Sequence, residues 1–308
     1  MQRLSRDHTR FFFDRTIEPI VEVGSGETIV IETQDAHGGS ITSTDVVYRN
    51  LDEVFARLGG ANPVTGPIAI AGVEPGDYLE IHVSHVEGAP VRGFGHMTTT
   101  PTLHPDLEPE TTICHRQENY VALPTIRGSV RLPYLPFVGT MGVAPAADPV
   151  PSFGQRSDIL GNVDLPELTK GAKVVLRAQV SGGLLSLGDA HLVQGDAEIH
   201  RSAVETQADV TLTVHARSLD EVGFAELPQL NTDDFIGSVA PGPGHLEDLV
   251  RAAYDDLVIR LERYHGFSKA DAYRLLGAVG KVRIGQVVPP VYSALAKIER
   301  KYLDTEPR

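Results

Sequence analysis

A single cysteine, Cys114, in 308 residues removes any intramolecular disulfide from the argument, so the fold must rest on its core. A lone thiol is also a weak nucleophile candidate, because isolated cysteines are more often packed and inert than reactive. The simplest compartment for such a chain is a reducing one, and Met1 to Asp14 carries charges among its phenylalanines rather than an export signal, so the expected location is cytoplasmic. Nowhere do about 18 apolar residues run together, which excludes a membrane-spanning helix. Positive charge is scarce: 27 basic against 41 acidic side chains give a net charge of −14 and no Lys/Arg cluster. A body of that sign is repelled by phosphate, so neither nucleic acid nor an anionic membrane is an expected partner.

Several catalytic signatures are missing as well. No Gly-x-Ser-x-Gly elbow occurs, Gly182-Gly183 lacks a following Lys-Ser/Thr, and no Gly-x-Gly-x-x-Gly joins a strand to a helix. A serine hydrolase triad, a phosphate-binding loop and a dinucleotide site therefore have little support.

What is present is 41% hydrophobic and 22% charged residues, punctuated by 30 Gly and 21 Pro. Helical periodicity is nearly absent from the first two-thirds, whereas β-type segments recur at Thr28–Thr33, Tyr78–Val86, Phe137–Val143, Lys173–Val180 and Val210–Ala216. A mainly β fold follows, a sandwich or a barrel. After about Pro241 the pattern changes. Apolar residues from Leu246 to Tyr264 repeat at helical spacing, and Ser268 with Asp271 forms an N-cap signature for a second helix that Gly280 stops. A short strand at Val282–Val288, the pair Pro289-Pro290 and a terminal helix over Tyr292–Tyr302 complete the expectation. The whole, residues 1–308, reads as one compact unit with a β-rich part (1–205) and an α+β part (206–308).

The most informative local stretch is Gly188 to Glu198 (GDAHLVQGDAE). Asp189 and His191, two apart, would share one face of a strand, as would Asp196 and Glu198. A carboxylate beside an imidazole can bind a divalent cation, and further acids can orient or deprotonate water. Local spacing equally fits a solvated β-turn-β segment. Asn162 and Asp164 offer an amide oxygen and a carboxylate on one face, or an ordinary turn. Asp35, in Asp35-Ala36-His37-Gly38-Gly39, could contact a ligand or cap its glycine turn. His96, flanked by Gly95, could bind metal or move a proton near neutral pH, though a loop histidine needs no such role. His104 and His115 rank lower.

Taken in order, ETQDAHGG (Glu32–Gly39), NPVTGP (Asn62–Pro67), EPGD (Glu74–Asp77), GFG (Gly93–Gly95), PFVGTMGVAP (Pro136–Pro145), GNVD (Gly161–Asp164) and GDAHLVQGDAE resemble the acetamidase/formamidase family across most of the chain. The resemblance implies cleavage of a short aliphatic carboxamide to carboxylate and ammonia, a β-sandwich-like body with α/β additions, a bound divalent metal and a homo-oligomer. On that footing Asp189 and His191 hold the cation, with Asn162 or Asp164 completing its shell. Zinc is the first candidate, with calcium as an alternative structural ion. Glu198 is the general base, with Asp196 beside it, and Asp35, His37 and His96 lie on the substrate side. The alternatives are hydrolysis of another C–N compound, such as an N-acyl or carbamoyl metabolite, and a non-enzymatic small-molecule-binding protein. Two stretches depart from the family pattern: Met97–Tyr120, a place for substrate selection, and the helical reading of Val291–Tyr302.

Overall fold

The computed structural model describes residues 1–100, 103–222, 226–288 and 291–304. Two large sheets dominate, one of nine strands and one of twelve. Their facing sides share the principal core, in which Ile29, Ile31, Leu79, Ile81, Val210 and Leu212 of the nine-stranded sheet meet Val64, Ile68, Val138, Met141, Leu185 and Leu187 of the twelve-stranded one.

Two kinds of strand build this body. Thr28–Thr33 and Ala208–Arg217 alternate buried and partly exposed residues, as strands with one face on a core must. Val64–Ile70, Phe137–Gly142 and Leu185–His191 are buried at every position, because they lie inside the twelve-stranded sheet with cover on both faces. Their sequences accordingly lack alternation. Polar residues on such strands are buried, and those that do not border a cavity must find partners inside the protein.

The C-terminal part adds helices to the nine-stranded sheet. Leu246–Tyr264 buries Ala253, Leu257, Val258 and Leu261 against Ile236, Ala240, Ala296 and Ile298. The next helix, Lys269–Val279, starts as its sequence requires: the Ser268 hydroxyl accepts from the Asp271 amide at 3.1 Å. Under the longer helix, Arg260 donates to Gly237 O, Ser238 Oγ, Gln229 Oε1 and Asn231 Oδ1, and Asp256 accepts from Ser238 Oγ. The buried charges are thereby satisfied.

The expected terminal helix is a strand. Val291–Glu299 pairs antiparallel with all nine residues of Phe235–Pro243 and with Lys281–Ile284 on its other side, and only Arg300–Tyr302 forms a short 3-10 turn. Ser293-Ala294-Leu295-Ala296 has good helix formers, but burial between two strands outweighs tenths of a kcal/mol of local preference. The strand expected over Val282–Val288 runs from Lys281 to Ile284, and Pro289-Pro290 lies outside the described residues. With Val291–Glu299 extended, the supposed departure from the family pattern at this end disappears.

Met97–Tyr120 contributes to a run of antiparallel strands, Phe94–Thr99, Glu110–Arg116, Tyr120–Thr125 and Gly128–Pro133, at one end of the twelve-stranded sheet. Among the described residues no helix is long and apolar enough to cross a membrane.

Candidate active site

The strand Leu185–His191 carries the centre of the site. Gly188 is required because a side chain there would meet Pro63 O at 2.3 Å. At the next residue, Asp189, the backbone turns left-handed (φ 55°) and its amide leaves the ladder to donate to Gln34 O. Asp tolerates this conformation better than most residues, and the turn brings its carboxylate to the cavity side. Such strain is concentrated here. Of the nine non-glycine residues described with positive φ, Asn62, Asp164, Asp189, Glu198 and Arg201 belong to the cluster or line its cavity. Backbone strain gathers where the surrounding structure holds it for a purpose.

Two of the carboxylates around His191, Asp189 and Glu205, are each locked by one oxygen and left free at the other. Asp189 Oδ2 accepts from Asn62 Nδ2 at 2.8 Å and from Thr140 Oγ1 at 3.2 Å. Asn162 faces acceptors, so its amide nitrogen turns toward them, 2.9 Å from Asp189 Oδ2 and 3.1 Å from Asp164 Oδ1. Glu205 Oε1 accepts from the Ala203 amide at 3.0 Å and the Ser202 hydroxyl at 3.4 Å. The remaining atoms, Asp189 Oδ1 and Glu205 Oε2, are buried without a hydrogen-bond partner, as are both ring nitrogens of His191. They converge: His191 Nε2 lies 3.5 Å from Asp189 Oδ1 and 3.3 Å from Glu205 Oε2. Phe137 packs edge-on against the imidazole with ring centroids 4.8 Å apart.

Burial disfavours a charged His191, but Glu205 and Asp189 outweigh it and hold the ring well above the usual imidazole range. Glu205 is pushed up by burial despite His191, and Asp164 is driven well up by burial and by the charges of Glu198 and Asp189. Glu198 is raised to about 8, first by burial. A pocket this rich in acid favours a positive charge at its centre. Asp189, His191 and Glu205 offer one nitrogen and two oxygens within 4.8 Å of one another, a donor set that suits zinc. Tetrahedral bonds of about 2.0–2.1 Å place ligand atoms roughly 3.3–3.4 Å apart, close to the separations found here. The residues therefore fit a divalent cation.

Asp164, His191 and Glu198 form a second grouping of donor atoms within the same reach. Gln286 Nε2 donates to Asp164 Oδ2 at 2.9 Å and to Asn162 O at 2.8 Å. Gly285 makes this approach feasible, since a side chain there would lie 2.0 Å from Val163 O. Gly139 plays a similar part, because a Cβ would sit 2.5 Å from Asp164 Oδ1 and 2.9 Å from His191 Cε1.

Asp35, His37 and His96 make a third grouping. Asp35 Oδ1 accepts from the His37 and Gly39 amides, capping its glycine turn, and His37 Nδ1 lies 3.1 Å from His96 Nε2. Burial lowers both imidazoles to about 4, so they are neutral rings near neutral pH. His37 borders the same cavity as Asp189, Glu198 and Glu205.

Asp196 is placed elsewhere. Asp196–Glu198 is a 3-10 turn rather than a strand, so the two acids do not share a face; Asp196 is exposed and paired with Arg283, while Glu198 turns into the cavity. Sequence reasoning missed Glu205 and Gln286 altogether, and gave Thr140 no role although it stood inside the quoted PFVGTMGVAP motif. Asn62 stood inside the quoted NPVTGP motif, which was the available signal. Glu205 had none, because its link to His191 runs through strand pairing with Glu205–Thr206.

The chain is 31% identical to the acetamidase of Bacillus halodurans, with 97% of this chain and 98% of that one covered and a TM-score of 0.87. It is 28% identical to the acetamidase of Yersinia enterocolitica, covering 99% and 93% of the two chains, again with a TM-score of 0.87. A Schizosaccharomyces pombe protein assigned by name as a formamidase is 24% identical over an alignment of 248 residues, with 62% of this chain and 59% of that protein's length covered. Residues 2–160 and 153–296 match the Acetamidase/Formamidase family, and the chain belongs to that family.

Proposed function

We propose that the chain hydrolyses the C–N bond of a small linear carboxamide to carboxylate and ammonia, with a divalent cation held by Asp189, His191 and Glu205. The observation that carries this reading is the convergence of buried, unpartnered Asp189 Oδ1, His191 Nε2 and Glu205 Oε2 at one point beside a cavity. When bound, the cation, zinc in the first instance, supplies a Lewis acid for the amide carbonyl.

The third ligand position is assigned to Glu205. Asn162 and Asn62 serve as positioning residues that hold Asp189 by its other oxygen, as partners of metal ligands commonly do. Glu198 takes a proton from the attacking water as its oxygen joins the carbonyl carbon. It returns that proton to the amide nitrogen as the C–N bond breaks, so ammonia leaves, and the carboxylic acid left behind releases the second water proton to the departing ammonia or to solvent and becomes the carboxylate. Neutral His37, which borders the cavity, orients the amide by hydrogen bonding, and His96 positions the His37 ring from behind through Nε2. A homo-oligomer is part of the same reading and is measured by light scattering.

Ammonia release from a panel of primary amides, before and after chelation, tests the proposal. Activity should vanish on metal removal and return with Zn²⁺. Undiminished turnover in protein shown by elemental analysis to be metal-free would overturn the metal requirement. Wild-type turnover in Glu198→Gln would remove that residue as the base.

A further inference from the structure

Asp189, Glu198 and Glu205 are three of the residues that line a cavity of about 500 Å³. Water takes up about 30 Å³ in the liquid, so a four-heavy-atom amide such as acetamide fills on the order of 100 Å³. Most of the space would then hold solvent. Yet much of the remaining lining is apolar: Tyr48, Leu51, Val54, Ala61 and Phe153.

That lining is a packed surface. Tyr48, Val54 and Ala61 are buried in one small apolar cluster, and Phe153 packs against it while contacting Phe55 with ring centroids 5.7 Å apart. The helix Leu51–Leu58 holds Leu51 and Val54 in place, with its first turn capped by Asn50. The ring of Tyr48 stacks on His37 at an interplanar angle of 4°, so the apolar surface continues into the polar one. Leu51 is 43% exposed, an apolar group whose burial remains to be gained. From Met97–Tyr120, the divergent region, only Thr98 and Thr100 among the described residues line this cavity.

We infer that the surface formed by Tyr48, Leu51, Val54, Ala61 and Phe153 is an acyl-binding site, which makes amides with an apolar acyl group better ligands than formamide or acetamide. This rests on the amide-hydrolase reading above. A six-carbon amide, with eight heavy atoms, needs roughly 200–250 Å³ on the same scale and fits with room for water. Each methylene moved from water onto an apolar wall is expected to strengthen binding about threefold to fourfold when fully buried.

The test is calorimetric binding of acetamide, butanamide and hexanamide to the purified chain, followed by ammonia release from each. Hexanamide should bind at least about tenfold more tightly than acetamide, with kcat/KM rising in the same order. In Leu51→Ser and in Phe153→Ala the hexanamide-to-acetamide ratio should fall at least about fivefold. Leu51 is exposed enough to be changed without opening the core, so it decides the matter if Phe153→Ala does not fold. Hexanamide binding no tighter than acetamide overturns the acyl site, whatever turnover is seen. Tighter hexanamide binding without ammonia from any amide overturns the hydrolase reading and leaves the acyl site standing.

Discussion

Gln286 donates from Nε2 to Asp164 Oδ2 across 122 positions of sequence, tying the segment after Lys281–Ile284 to the candidate site. The same amide reaches Asn162 O, and Ser293 Oγ donates to Val163 O. The C-terminal part of the chain thus closes the loop that holds Asn162 and Asp164.

Replacing Gln286 with Leu removes the donor and leaves a buried carboxyl oxygen and the Asn162 carbonyl without that partner. Unfolding in urea should show a loss of about 1–3 kcal/mol. An unchanged midpoint and slope would mean the contact contributes nothing to the fold.

Gly139→Ala should damage both stability and activity, because its Cβ would press on Asp164 Oδ1, Asp189 O and His191 Cε1 together. Overpacking of this kind costs about 1–3 kcal/mol. A variant with wild-type melting temperature and full amide turnover would show that the site can yield there.

Loading with Zn²⁺ should raise the melting temperature, since a ligand that binds only the folded chain stabilises it by about 2.7 kcal/mol at a hundred times its Kd. Glu205→Gln should reduce this gain sharply and lower the metal content by elemental analysis. Equal metal content in the variant would remove Glu205 from the ligand set.

Glu167 links stability to pH. Burial works against its charge, but Lys297 and Arg283 outweigh this and hold the carboxylate below its usual range. The stabilisation is present above the unfolded value of about 4.3 and is lost as pH falls through the lower folded value. Denaturation midpoints of the native chain and Glu167→Gln should therefore differ at pH 6 and converge on acidification below about pH 4. A gap that stays constant with pH would contradict the assignment.

Cys114 is buried, and burial pushes its thiol up to about 11. A thiol reagent at pH 8 should label the native chain negligibly and the urea-unfolded chain stoichiometrically. Fast labelling of the native chain would show an accessible thiolate.

Local order was legible in the sequence wherever one face of an element meets the core. Thr28–Thr33 and, within Ala208–Arg217, Val210–Ala216 declare themselves by β-type residues, Leu246–Tyr264 by helical spacing and the next helix by Ser268. The motif order also carried the family, because it is a property of the chain itself. Only tertiary structure decided that Val291–Glu299 is a strand, since its nine pairings lie with Phe235–Pro243 rather than within the segment. It alone brought Glu205, Asn62 and Gln286 to Asp189, His191 and Asp164. The physical reason is common to both. Strand pairing and buried hydrogen bonds join residues far apart in sequence, and no local period or spacing encodes which distant partner will satisfy a buried polar atom.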